Sequence, residues 1–210
     1  MHPAPAGDRG CRVTAEVLIA FLPARNNCTG FLAGLAPMRY GAIHSLVTLT
    51  RPMTTSRQAR FETACAPWGD AFAGPIVIGG NYQSVLRHAD TVYVSGQVPR
   101  VGTTVQVTGR VGAGTSLEEA RTGARISVLR ALALLQQELG SLDAIRQVLR
   151  VTVYVQCADD FTQHSEVADA ASDLLVQVLG PAGRHTRTSV GVLQLPKNAS
   201  VELDLVAAWG

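Results

Sequence analysis

The chain has 210 residues, of which 47% are hydrophobic, 16% charged and 5% aromatic, with a formal net charge of +2. That is enough apolar material for a packed core and too little charge for a disordered chain. The length allows one domain with an extension or two small domains, and the lack of a basic stripe or stacking aromatics argues against a nucleic-acid surface.

Residues 1–70 hold Pro3, Pro5, Pro23, Pro37, Pro52 and Pro67 and show no sustained apolar period. They are expected to be an N-terminal extension without a fold of its own. One reading is a loosely attached arm. Another is that translation starts at Met53, whose following Thr-Thr-Ser-Arg-Gln is an ordinary polar N-terminus. Val13 to Leu22, preceded by Arg9 and Arg12, has some signal-peptide character, but Glu16 interrupts it and no small-x-small cleavage site follows. No apolar run reaches the length of a membrane span. The four cysteines, Cys11, Cys28, Cys65 and Cys157, form no CxxC pair, which argues against a zinc site or a thioredoxin-like motif. Reduced thiols in a cytoplasmic protein are the expectation.

From Gly74 onward the pattern sharpens into a domain assigned to residues 71–210. Thr91 to Val98 alternates, with Val92, Val94 and Val98 on one face and Tyr93, Ser95 and Gln97 on the other, which predicts a half-buried strand. A shorter extended piece, Thr104 to Thr108, leads into Gly109-Arg-Val-Gly-Ala-Gly-Thr-Ser116. That run has the look of a phosphate loop but lacks the lysine such a loop needs, so it is read as a turn. Ser116-Leu-Glu-Glu119 is a capping box, and Ala120, Ala124, Val128, Ala131, Leu135 and Leu139 form the stripe of a helix that Gly140 stops.

A strand over Val148 to Gln156 follows, with Leu149, Val151, Val153 and Val155 expected inward. A second helix is expected from Asp160 to Leu179, capped by Asp159 or Asp160 and ended by Gly180-Pro181. Two strands close the chain, Arg187 to Leu195 and Ser200 to Ala207, around a turn at Pro196. The order defines an α+β layout, a mixed sheet with two helices on one face. The other face would carry Tyr93, Ser95, Tyr154, Arg187, Ser189, Glu202 and Asp204. Such a mixed face suits a wet subunit interface, so an oligomer with functional groups near subunit boundaries is expected.

Three segments resemble the signature of the Rid (YjgF) family: Tyr93-Val-Ser-Gly-Gln-Val-Pro99, Arg187-Thr-Ser-Val-Gly-Val-Leu-Gln-Leu-Pro196 and Ala199-Ser-Val-Glu-Leu-Asp-Leu-Val206. Gly183-Arg-His-Thr-Arg187 and Ala171-Ser-Asp-Leu-Leu175 further resemble a Rid-like subgroup of less defined function. The resemblance implies a chorismate-mutase-like fold, a homotrimer with sites between subunits, and hydrolysis of reactive 2-imino or 2-enamino acids to 2-keto acids and ammonia. It implies no metal and no organic cofactor. The ligand would be a small carboxylate-bearing imine or enamine, with neither nucleic acid nor membrane as partner.

By the same resemblance Arg187 grips the substrate carboxylate, for which a planar guanidinium is suited, and Glu202 positions water and shuttles protons. Ser95, Gly96 and Tyr82 would line the pocket. The family's asparagine on the second helix has no counterpart: Ala168 and Asp169 stand there, and Asp169 would repel an acidic substrate if it faced the pocket. Ser189 stands where some members carry cysteine. Cys157 with His164 or His185 would make a nucleophilic dyad, but nothing in the spacing places them together. Two other functions compete: an endoribonuclease or translation inhibitor, and a trimer that binds small molecules without turnover.

Overall fold

Reciprocal hydrogen bonds between Ser116 and Glu119 start the longest helix of the computed structural model, which describes residues 55–210. The Ser116 amide donates to the Glu119 carboxylate at 2.7 Å, and the Glu119 amide donates to the Ser116 hydroxyl at 3.3 Å. This helix, α2 (Leu117–Leu139), ends at Gly140, whose φ of 80° is the left-handed cap that glycine takes without strain. Helix α1 (Arg57–Cys65) precedes it and α3 (His164–Leu179) follows. Among the described residues no helix is long and apolar enough to cross a membrane.

Five strands form the main sheet: β1 (Val85–His88), β2 (Thr91–Gln97), β3 (Ile145–Gln156), β4 (Thr186–Val192) and β5 (Val201–Trp209). Their spatial order is β1-β2-β5-β3-β4, antiparallel throughout except for the parallel pair β3/β4. The inward row of Val92, Val94, Val151, Val153, Val155, Leu203 and Leu205 packs with Ala124, Val128 and Leu135 of α2 and Val167, Ala171 and Leu175 of α3. The α+β layout with both long helices on one face is therefore as expected.

The departures have physical causes. Val98 was expected inward and Gln97 outward, but Val94 pairs with Leu205 and Gln97 with Leu203, so Ser95 and Gly96 together face the single residue Asp204. This bulge resets the alternation and turns Gln97 into the core side, where it is 5% exposed. A second bulge does the same on β3. Val148 pairs with Ala207 and Arg150 with Val206, so Leu149, expected inward, is 41% exposed while Val148 is buried.

Helix α3 begins at His164, four residues later than expected, and its N-cap Gln163 makes no side-chain cap. Asp159 instead lies near Arg110, at 3.7 Å. Folded chain also reaches further back than residue 71: Phe61 and Cys65 of α1 are buried, Arg57 donates to the carbonyls of Leu142 and Ile145, and Arg60 donates to that of Val178. The expectations for Met53 and the residues before it lie outside the described residues. Strand β1 had no expectation of its own, since four residues with one half-buried position carry little period.

Candidate functional site

The bulge in β2 brings the main chain of Gly96 under the carboxylate of Glu202 on β5. A Cβ built on Gly96 would lie 1.9 Å from Glu202 Oε1, so the carboxylate occupies the space any side chain would take. Both residues line a cavity of about 220 Å³ together with Tyr82, Ser84, Arg100 and Arg130. Burial pushes the Glu202 carboxyl above the ordinary carboxylate range, and the neighbouring charge of Asp204 pushes it the same way. Asp204 itself accepts a 3.0 Å hydrogen bond from the Tyr154 hydroxyl.

Three of the expected residues, Tyr82, Gly96 and Glu202, thus meet in one cavity. Ser95 sits beside it rather than in its lining: its amide donates to the Ser84 carbonyl at 2.9 Å, and its hydroxyl accepts from Gln97 Nε2 at 3.2 Å.

Arg187 lies elsewhere. Its register partner on β3 is Val151, and that of Ser189 is Val153, both core residues, so Arg187 and Ser189 point toward the helix side of the sheet. The expectation that they share the mixed face with Glu202 is corrected. The valines of β4, Val190 and Val192, stand on the outer face, so the strand's own alternation points the wrong way and only its register with β3 reveals the orientation.

Arg187 Nη1 donates to Asp169 Oδ1 at 2.9 Å and to Ser172 Oγ at 2.8 Å. Asp169 is therefore the counter-ion of Arg187. Ser172 lies 3.0 Å from His185 Nε2, and His185 Nδ1 lies 2.6 Å from the Gly183 carbonyl. A carbonyl can only accept, so Nδ1 carries the proton, Nε2 accepts from the Ser172 hydroxyl, and Ser172 in turn accepts from Arg187. Burial holds the His185 imidazole below its ordinary range despite the bond to Gly183, and the nearby Arg187 charge adds to the effect.

Cys157 Sγ and His164 Nε2 do meet, at 3.3 Å, across the floor where Gly191 leaves room for both. Spacing alone gave no hint of this contact, which arises because α3 begins at His164 and turns it back over the end of β3. Burial pushes the Cys157 thiol up, outweighing the opposite pull of Arg110. A raised thiol is the reverse of an activated nucleophile, so the pair reads as packing. The turn at Gly109–Ser116 contains two short paired segments, Arg110–Val111 and Gly114–Thr115.

Two cavity residues, Arg100 and Arg130, escaped the sequence reading. The signal for Arg130 was present: it is the single charge in Ile126-Ser-Val-Leu-Arg-Ala-Leu-Ala-Leu-Leu135, and arginine is rarely buried without a partner.

A fold with a bulged β2 beneath a half-buried glutamate and an arginine on the parallel edge strand defines a class. Residues 72–208 match the family model described as "YjgF/chorismate mutase-like, putative endoribonuclease", and the chain belongs to that family. Protein TCP17 of Trypanosoma cruzi is 39% identical over 125 residues, 59% of this chain and 78% of that protein. A protein of unknown function from Agrobacterium tumefaciens is 31% identical, with a TM-score of 0.66 over 73% of this chain and 95% of its own. One from Shewanella oneidensis, called a "putative endoribonuclease", is 28% identical, with a TM-score of 0.65 over 70% of this chain and 98% of its own.

Proposed function

We propose that the protein hydrolyses 2-imino or 2-enamino acids to 2-keto acids and ammonia at a site built from the Glu202 cavity of one subunit and Arg187 of the next. The observation that carries the reading is the half-buried Glu202 carboxylate pressed over bare main chain at Gly96, in a cavity small enough for a metabolite. A base whose acidity is weakened by burial lies closer to neutral pH, where proton transfer in both directions is efficient.

In this mechanism Glu202 accepts a proton from water as its oxygen attacks the C=N carbon. Glu202 hands that proton to the imine nitrogen, giving a carbinolamine, then takes the carbinolamine hydroxyl proton and delivers it to the nitrogen as the C–N bond breaks, so that the C=O forms and ammonia leaves. Water is consumed and one keto acid and one ammonia leave, with no redox change. Arg187 would hold the substrate carboxylate. Because its guanidinium turns to the helix side while Glu202 turns to the other face, one chain does not bring the two groups together, which favours a cyclic oligomer such as a trimer. The outer face supports such packing, with Leu86, Tyr93 and Val190 all more than a third exposed.

The test generates 2-imino acids in situ with an amino-acid oxidase and follows keto-acid release. Wild-type protein should accelerate release over spontaneous hydrolysis, and Arg187→Ala and Glu202→Gln should each return it to the background. No acceleration across several side chains would demote the protein to a binding role. RNA cleavage that survives both substitutions would place the endoribonuclease activity named for the family at another site.

A further inference from the structure

The Glu202 cavity holds more positive charge than the proposed chemistry requires. Arg100 follows the Ser-Gly-Gln segment, and Arg130 lies in mid-helix on α2, yet both reach the same cavity. Arg130 is 7% exposed. Its one hydrogen bond is from Nη1 to the Arg100 carbonyl at 3.2 Å, and the Nε atoms of both arginines are buried without a partner. No Asp or Glu among the described residues comes within ion-pair distance of either guanidinium.

The cost of this arrangement is visible in Arg130. Burial, with the repulsion of Arg100 added, pushes it down to about 10, against a helpful contribution from Tyr82. It remains a cation at neutral pH. Glu202 shares the cavity but makes no ion pair with either arginine. A buried cation beside a half-buried one, both without an ion-pair partner at a cavity, is destabilising unless an anion completes them.

We propose that Arg100 and Arg130 form an anion subsite inside the Glu202 cavity, so that the ligands of this site are dicarboxylates: 2-imino or 2-keto acids whose side chain ends in a second carboxylate. The inference rests on the proposed function in one respect, that Arg187 holds the first carboxylate. Guanidinium pairs suit a carboxylate because each offers a planar fork of donors. The cavity, about 220 Å³, has room for a short dicarboxylate.

Titration calorimetry of the full chain with 2-oxoglutarate and 2-oxobutyrate tests it without turnover. Wild-type protein should bind the dicarboxylate at least about tenfold more tightly than the monocarboxylate, as expected for one added charged hydrogen-bonded contact. Arg100→Gln and Arg130→Gln should each bring the ratio of the two affinities close to one. Should Arg130→Gln fail to fold, Arg100→Gln, at a less buried position, gives the ratio alone. Equal affinities in the wild type, or a ratio preserved in the variants, overturns the subsite. A dicarboxylate preference that depends on these arginines, in a protein that accelerates no imine hydrolysis, sinks the catalytic reading and leaves the subsite standing. Imine hydrolysis without the preference does the reverse.

Discussion

Gly96→Ala separates the role of the Glu202 carboxylate from the stability of the fold. The added methyl would sit 1.9 Å from Oε1 and 2.9 Å from Cδ of Glu202, closer than real Cβ contacts come, so the carboxylate must retreat by about 1 Å. Gly96 has no positive φ, so alanine is allowed by the backbone there, and the obstructing atoms are the far end of a flexible side chain. The loss of unfolded-state freedom even favours alanine by about 0.4–1 kcal/mol. The melting temperature should therefore stay within about 4 °C of wild type. A displacement of about 1 Å in a catalytic group costs on the order of 100-fold in rate. The oxidase-coupled imine assay should show kcat down by about that factor, with KM changed far less, since the proposed carboxylate-binding group, Arg187, is untouched. Wild-type kcat in Gly96→Ala would refute the placement of Glu202 as the water-positioning base. A large drop in melting temperature would show instead that the glycine serves packing.

Three further outcomes follow from the charges of the site. The acid limb of the kcat/KM profile should lie above the 4.5 of an ordinary glutamate, because the proposed mechanism uses ionised Glu202 and its carboxyl is raised; a limb at or below that value contradicts the assignment. Asp169→Asn removes the counter-ion of Arg187 and should lower KM for acidic substrates several-fold, while changing stability by less than about 1 kcal/mol because the Asp169 side chain is 53% exposed; an unchanged KM would mean that Arg187 does not meet substrate. Burial holds His185 below the ordinary histidine value of 6.5 in the folded state. The unfolded chain therefore binds the proton more readily, and stability is full above about pH 6.5 and falls as pH drops through that range until the folded-state histidine titrates. His185→Gln should flatten this part of the urea-midpoint profile, and an unchanged slope would assign the pH dependence to other groups.

The elements legible in the sequence were those whose signals are local. The capping box at Ser116 and Glu119, the stripe on α2 and the left-handed Gly140 each lie within a few residues of what they control. The residues missed or turned the wrong way depend on partners distant in the chain. Gln97 and Leu149 changed faces through bulges defined against β5, which begins at Val201. Arg187 was assigned to the wrong face because its orientation is inherited from Val151 across a parallel pairing. Cys157 and His164 met because a helix began later than its acidic residues suggested. Among the expected site residues, Tyr82, Gly96 and Glu202 were found together because each lies on or beside the bulged strand pair.

The opposite orientations of Arg187 and Glu202 give the assembly a quantitative test. If one cleft takes its arginine from one subunit and its glutamate from the next, Arg187→Ala and Glu202→Gln chains are each inactive alone, yet a mixed oligomer can hold an intact cleft. With equal amounts mixed at random in a closed ring, a cleft is intact only when the Glu202→Gln chain supplies the arginine and the Arg187→Ala chain supplies the glutamate. That happens in about one quarter of clefts, whatever the number of subunits in the ring. Co-refolding the two variants should therefore recover about a quarter of wild-type activity. A site contained in one chain would recover none, since every chain in the mixture lacks one of the two groups. Recovery also requires exchange of subunits, so the same mixture kept as preformed oligomers should stay inactive until it is unfolded and refolded. Failure to recover after refolding, with both variants assembled to the wild-type size, would contradict the division of the site between subunits and require Arg187 to act from some other position.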